Sequence, residues 1–190
     1  MSKRIIADRC CGVIIDVQTF FLGQVDKRRR AALKAGIAHF ARLLGHLRIP
    51  TIVTLERPLE RKGGLPEEIA GNLGERSSTF EKDFFDLTRE KTIRRALARL
   101  RRRQAIVTGC ETDVCVLQSC LGLLDLGYDV FVVEELVFSS TRNVGSALER
   151  MEAAGVTFLT YKTLYYELLE SVDGGRHRSW PDDLPDSLSG

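Results

Sequence analysis

Apolar positions along the chain fall into two alternating patterns. Short continuous runs at residues 12–17, 51–55, 104–108, 129–133 and 156–160, several of them β-branched, predict buried strands. Between them the period changes to that of a helix. Residues 28–47 place Leu33, Ile37, Phe40, Ala41, Leu44 and Leu47 on one stripe, and residues 89–102 do the same with Ile93, Leu97 and Leu100. After the third run, Val116, Leu117, Cys120, Leu121 and Leu124 keep helical spacing and stop before Gly127. Val144, Ala147, Leu148 and Met151 mark a helix over 141–154 that Gly155 ends, and a last helix covers about 163–170. Residues 18–23 read as a loop. Residues 56–88 read as irregular, with at most a short helix at 66–70; a connection of that length is usually functional.

Strand and helix alternating in this way predict a doubly wound, Rossmann-like α/β fold. Its mostly parallel sheet has five to six strands, with helices on both faces in three α/β/α layers. The expected organisation is one domain over residues 1–171, followed by a polar tail over 172–190 rich in Gly, Pro and Asp. No internal repeat interrupts it.

Composition changes this picture little. With 44% hydrophobic residues, 28% charged residues and a formal charge of +2, nothing global points to nucleic acid or to an anionic membrane. The apolar runs are strand-sized, and Asp16 interrupts the one near the N-terminus, which argues against a secretory leader. The basic residues of 94–103 and 27–30 fall on polar helix faces without interleaved aromatics, the pattern of a solvated surface. Five cysteines without CxxC or Cys/His zinc spacing fit a reduced, cytoplasmic setting.

Candidate chemistry gathers at strand ends, because the carboxyl edge of a parallel sheet is where ligand sites form. Asp16 closes the first run. Cys115 follows the third, in the first turn of a helix for which Thr112 is the expected N-cap and Asp113 a first-turn carboxylate. Taken singly, Cys115 also reads as a buried thiol and Asp16 as a cap on a neighbouring segment. A thiol beside a carboxylate needs a cation to become a nucleophile. Lys82, in the long irregular stretch and expected among Phe80, Phe84 and Phe85, is the best candidate, although alone it reads as a surface lysine. A lysine about 4 Å away contributes at most about 4 kcal/mol at an effective dielectric near 20. The helix start adds about 0.3–2 kcal/mol. The two together are expected to outweigh repulsion from Asp16.

Asp16 in Ile14-Ile-Asp-Val-Gln18, Lys82 in Thr79-Phe-Glu-Lys-Asp-Phe84 and Cys115 in Gly109-Cys-Glu-Thr-Asp-Val-Cys-Val116 together resemble the isochorismatase-like cysteine hydrolase family over about residues 11–170. The resemblance implies Asp16 as general base, Lys82 as electrostatic partner and Cys115 as nucleophile. It further implies a cis peptide between Cys110 and Glu111, an oxyanion hole from the backbone N–H groups of Glu111 and Cys115, and a homo-oligomer. Metal-binding nicotinamidases carry Asp-x-His after the second strand, where this chain reads Glu56-Arg-Pro58, and residues 56–88 hold no histidine. No metal and no cofactor are therefore expected. Gln18, Phe21 and Glu56 remain candidates to face a small-molecule substrate, and for Glu56 a surface salt bridge stays equally open. Retention of Cys115 favours cleavage of an amide C–N bond through a thioester. A vinyl-ether hydrolase and a catalytically silent binding protein of the same fold are the alternatives.

Overall fold

The computed structural model describes residues 4–171, so the tail expected from residue 172 lies outside the described residues. Six strands form one all-parallel sheet: β1 (Cys10–Ile15), β2 (Thr51–Glu56), β3 (Ser77–Lys82), β4 (Gln104–Cys110), β5 (Asp129–Phe138) and β6 (Thr157–Leu159). Their order is β3-β2-β1-β4-β5-β6. The chain winds outward from β1 to β3, then crosses back to lay β4 on the other side of β1. The reversal between β1 and β4 leaves a crevice at the carboxyl ends of the strands.

Helices cover both faces, as the alternation requires. α1 (Thr19–Gly23), α2 (Lys27–His46), α3 (Leu59–Lys62) and α4 (Glu67–Ala70) precede β3 in the chain. α5 (Lys91–Leu100), α6 (Leu117–Asp125), α7 (Gly145–Ala154) and α8 (Tyr161–Leu169) alternate with the remaining strands. Strand periodicity of two splits β1 between two cores. Cys10 and Ile14 pack with Leu33, Ile37, Phe40 and Leu44 of α2 and with Leu164 and Leu168 of α8. Cys11, Val13 and Ile15 pack with Ile93, Leu97, Cys120 and Met151 on the other face. Each such large apolar side chain stabilises the fold by about 1.5–3 kcal/mol when fully buried. α2 begins where Asp26 accepts a hydrogen bond from the Arg29 N–H at 3.0 Å, an N-cap that contributes about 1 kcal/mol.

Several boundaries differ from the sequence expectation. The stretch over 56–88 is not loop throughout: β3 lies within it and pairs with β2 from Thr51↔Ser77 to Glu56↔Lys82. β3 reads Ser-Ser-Thr-Phe-Glu-Lys and only Lys82 is buried, so an edge strand with solvated faces carries no apolar run to detect. Residues 18–23, expected as loop, hold the single turn of α1. β5 continues past 133 through the exposed Glu134 and Glu135 to Phe138, with a register break against β4 between Val107 and Gly109. The carboxylate of Glu135 accepts the N–H of Tyr161 at 3.0 and 3.2 Å at the start of α8, which accounts for a charge inside a strand. α7 starts at Gly145, four residues later than the apolar spacing suggested.

Candidate active site

Four strand ends bring their side chains to one point. β1 stops at Asp16, which is fully buried with a left-handed backbone (φ 50°), a conformation that Asp tolerates better than most residues. Its Oδ1 accepts the hydroxyl of Thr54 on β2 at 2.7 Å, and its Oδ2 lies 2.7 Å from Lys82 Nζ. The parallel register sets Glu56 at the end of β2 beside Lys82 at the end of β3. From that position the buried ammonium of Lys82 stands 3.5 Å from Cys115 Sγ, 3.8 Å from Glu56 Oε2 and 3.1 Å from the carbonyl of Phe84. The sulfur itself donates to Glu56 Oε2 at 3.1 Å. Glu56 Oε1 in turn takes a hydrogen bond from Lys62 of α3, which also donates to the carbonyl of Arg57 at 2.8 Å.

Cys115 reaches this point through the segment after β4. Gly109 has φ 122°, and a Cβ there would sit 2.0 Å from the carbonyl oxygen of Ile15. The glycine is needed for close approach of β4 to β1, inside the sheet. The Cys110–Glu111 peptide is cis. A π-helical turn, Thr112–Val116, then leads into α6, with the N–H groups of Val114 and Val116 both donating to the carbonyl of Glu111 (3.1 and 3.0 Å). Thr112 is thus not the N-cap: it lies buried inside the turn, and Glu111 precedes the turn without a side-chain cap. Asp113 accepts the hydroxyl of Ser139 at 2.6 Å.

Asp16, Lys82 and Cys115 are therefore in one cluster, and Glu56 is part of it. Lys82 is not enclosed by the neighbouring aromatics, since Phe84 and Phe85 are exposed; the sheet edge buries it. Gln18 is fully buried and spends its amide on the backbone. Its Oε1 accepts the N–H of Glu56 at 2.7 Å, and its Nε2 donates to the carbonyls of Glu56 (3.1 Å) and Gly63 (2.8 Å). Phe21 is buried, with the Lys62 ammonium 5.8 Å from its ring centroid. Thr54 and Lys62 were not singled out in the sequence: a strand threonine and a lysine in a short helix look ordinary there.

The electrostatics reverse one expectation. Burial, and after it the charge of Asp16, pushes the Cys115 thiol well above its usual range, and Lys82 offsets only part of this. The resting sulfur is a thiol. Burial also raises the carboxyl of Asp16, against the pull of Lys82 and Thr54. For Lys82 burial acts downward, but the charge of Asp16 outweighs it and the pKa is raised. Burial acts upward on Glu56, yet hydrogen bonds from Lys62 and Cys115 bring it below the ordinary glutamate range. Asp16 with Lys82 and Glu56 with Lys62 thus flank the Cys115 sulfur as two acid–amine pairs. Oxygens of Asp16 and Glu56 and the sulfur of Cys115 lie within 4.8 Å of one another, a donor set that a metal ion could bridge. The Lys82 ammonium already stands against all three, so the cation in this cluster is the protein's own.

Comparison with known proteins fits this geometry. A secreted isochorismatase effector of Phytophthora sojae is 34% identical over 137 residues, which is 70% of this chain and 65% of that protein; the match thus spans just under two thirds of the relative. A MAR1 ribonuclease from Caenorhabditis elegans superposes with a TM-score of 0.83 at 24% identity, covering 95% of each chain. The YcaC gene product of Escherichia coli, described as an octameric hydrolase of unknown specificity, superposes with a TM-score of 0.81 at 20% identity over 90% of this chain and 84% of its own. At these identities the two structures speak for the fold alone. Residues 10–163 match the isochorismatase domain, and the chain belongs to the isochorismatase family.

Proposed function

We propose that the protein is a cysteine hydrolase that cleaves the C–N bond of a small amide through a thioester on Cys115. The supporting observation is the junction at the sulfur: Sγ lies 3.5 Å from a buried ammonium that is itself anchored 2.7 Å from Asp16. In this reading the thiol proton leaves to a carboxylate of the cluster as sulfur attacks the carbonyl carbon. Lys82 offsets the charge that appears on sulfur, and Asp16 fixes Lys82. The C=O electron pair moves onto oxygen, which the backbone N–H groups of Glu111 and Cys115 receive; such donors are worth about 3–4 kcal/mol in the barrier. The proton returns to the nitrogen as the C–N bond breaks, and water then hydrolyses the thioester. No step calls on a metal or a cofactor.

The same reading includes a homo-oligomer, supported by the octameric state of the YcaC relative, and a reducing compartment, supported by five free, buried cysteines. Among the described residues no helix is long and apolar enough to cross a membrane. The test is a panel of small carboxamides offered to wild type and to Cys115→Ala. Amine release by wild type that the variant loses is the expected result. Pyruvate release from isochorismate that survives Cys115→Ala would replace the amide reading with vinyl-ether hydrolysis, and a protein inert toward both would be a binding protein on this fold.

A further inference from the structure

The arginine-rich run over 94–103 plays no part in the catalytic cluster, and the structure does not leave all of it on an ordinary solvated face. Arg94, Arg101, Arg102 and Arg103 line one hollow of about 310 Å³ between the last turn of α5 and the end of α6. Its floor is apolar, made by Leu97, Ala98, Leu126 and Tyr128. Among the described residues no carboxylate lines it. Nor does any ion pair there join one of these four guanidiniums to an acid. On the other side of α5, Arg95 and Arg99 line a second hollow with Arg76, so the positive potential extends beyond the first.

Helix dipoles account for part of this charge but not for most of it. α5 ends at Leu100 and α6 at Asp125, and each end carries about half a negative charge. Together they set about one negative charge against four positive ones, leaving a surplus of about three. Asp125 and Asp129 are neighbours in the chain of Leu126 and Tyr128 but do not line the hollow. Counting both of them still leaves the balance positive.

We propose that this hollow is a binding site for a small molecule carrying two linked phosphoryl groups, a pyrophosphate or an organic diphosphate. All four cations are arginines, whose planar fork donates two parallel N–H bonds to phosphate oxygens. One phosphate group brings about 1.5–2 negative charges, too few for the surplus, whereas two meet it. The volume is at the small end for ligand sites, room for the phosphoryl groups and a short organic part. A nucleic-acid strand would need aromatic platforms along its track. The one aromatic ring here, Tyr128, is buried, with its hydroxyl donating to the Leu97 carbonyl at 3.2 Å. The hollow lies at the amino ends of β4 and β5, whereas Cys115 follows the carboxyl end of β4. The seven residues of that strand set the two about 20 Å apart, so the site is separate from the hydrolase site and does not depend on that reading.

The test is isothermal titration of the full-length protein with sodium pyrophosphate at an ionic strength of about 0.15 M. Saturable binding is expected, and orthophosphate should bind at least about tenfold more weakly. Arg94→Gln and Arg102→Gln should each weaken pyrophosphate by about tenfold or more, the loss of one charge-assisted contact. Ala98→Glu sets a carboxylate one turn from Arg94 and should abolish binding. Its thermal midpoint should stay at or above that of wild type, because the new charge meets unpaired guanidiniums; lost binding is then not lost fold. Arg150→Gln, on the exposed side of α7, removes the same net charge elsewhere and should bind as wild type does. The proposal is overturned by the absence of saturable binding, or by binding that survives in all three hollow variants. An equal loss in Arg150→Gln also overturns it, as a response to net charge alone. An RNA oligomer of about 20 nucleotides that binds where pyrophosphate does not would replace it with a nucleic-acid surface.

Discussion

The ion pair of Asp16 and Lys82 should show itself as a large energetic coupling between two residues far apart in sequence. At 2.7 Å and an effective dielectric near 20, the attraction of the two charges is about 6 kcal/mol. Both side chains are 0% exposed, so neither charge has water to fall back on. Lys82→Met keeps the aliphatic stem and removes the ammonium, leaving Asp16 buried with only uncharged partners, the Thr54 hydroxyl and the Cys115 thiol. Breaking a buried pair in this way costs about 3–5 kcal/mol. In Asp16→Asn the new residue tolerates the left-handed backbone and still accepts the Thr54 hydroxyl, while Lys82 keeps the Phe84 carbonyl, so the loss should be smaller, about 1.5–3 kcal/mol. The double variant leaves neither charge stranded. Its cost should therefore fall below the sum of the singles by about 2 kcal/mol or more. Urea unfolding of the four proteins, with unchanged slopes, measures this. The pH dependence gives a second handle. Asp16 carries a raised pKa, and without Lys82 it is raised further. A carboxyl raised in the folded state favours folding below its unfolded pKa of about 3.9 and loses that advantage as pH rises through the folded value. Lys82→Met should thus lose less at pH 5 than at pH 8. Costs that add to within about 0.5 kcal/mol would refute the pairing, as would a Lys82→Met variant as stable as wild type.

Three further outcomes follow from single contacts. Gly109→Ala drives a Cβ to 2.0 Å from the Ile15 carbonyl at φ 122°, so it should lose about 3 kcal/mol or more in urea unfolding or fail to accumulate as folded protein. Gln18→Ala gives up the three hydrogen bonds that tie β1 to Glu56 and Gly63, about 1 kcal/mol each, and should speed hydrogen exchange at the Glu56 amide most of all. Lys62 holds the Glu56 carboxyl below the ordinary glutamate range. Its contribution is then complete above an unfolded pKa of about 4.3 and fades as pH falls through the folded value. The stability gap between wild type and Glu56→Gln should accordingly narrow below about pH 4 in a urea titration.

What could be read from the chain follows from where the signal lies. The central strands, buried on both faces, are continuous apolar runs, so β1, β2, β4 and the first half of β5 stand out. β3 is an edge strand of polar residues, and nothing local separates it from a loop. Its consequence for the site is large, because pairing with β2 sets the register that places Lys82 beside Glu56. Lys82 could be nominated by sequence, but for the wrong surroundings: Phe84 and Phe85 point to water, and the sheet edge does the burying. The balance of effects at the sulfur differs from the sequence expectation for a similar reason. Counting one lysine and a helix start against one carboxylate omits desolvation, which is the largest contribution and depends on burial that no spacing reveals.

The second carboxylate shows most clearly what the fold adds. Glu56 ends a strand, as Asp16 does, and from the chain alone an acidic residue beside Arg57 fits a surface pair equally well. Arg57 in fact turns away, to Glu81 at 2.9 Å and Asp83 at 2.6 Å on the exposed side. That releases Glu56 inward, where Lys62, six residues later, meets it from α3. Each carboxylate thus has its own ammonium, and the two pairs differ in one property, access to water. The thiol lies between them, and both carboxylates raise its pKa. Glu56→Gln removes one of those charges, so the alkylation profile of Cys115 should move to lower pH, and a profile left where it is in wild type would refute the contact.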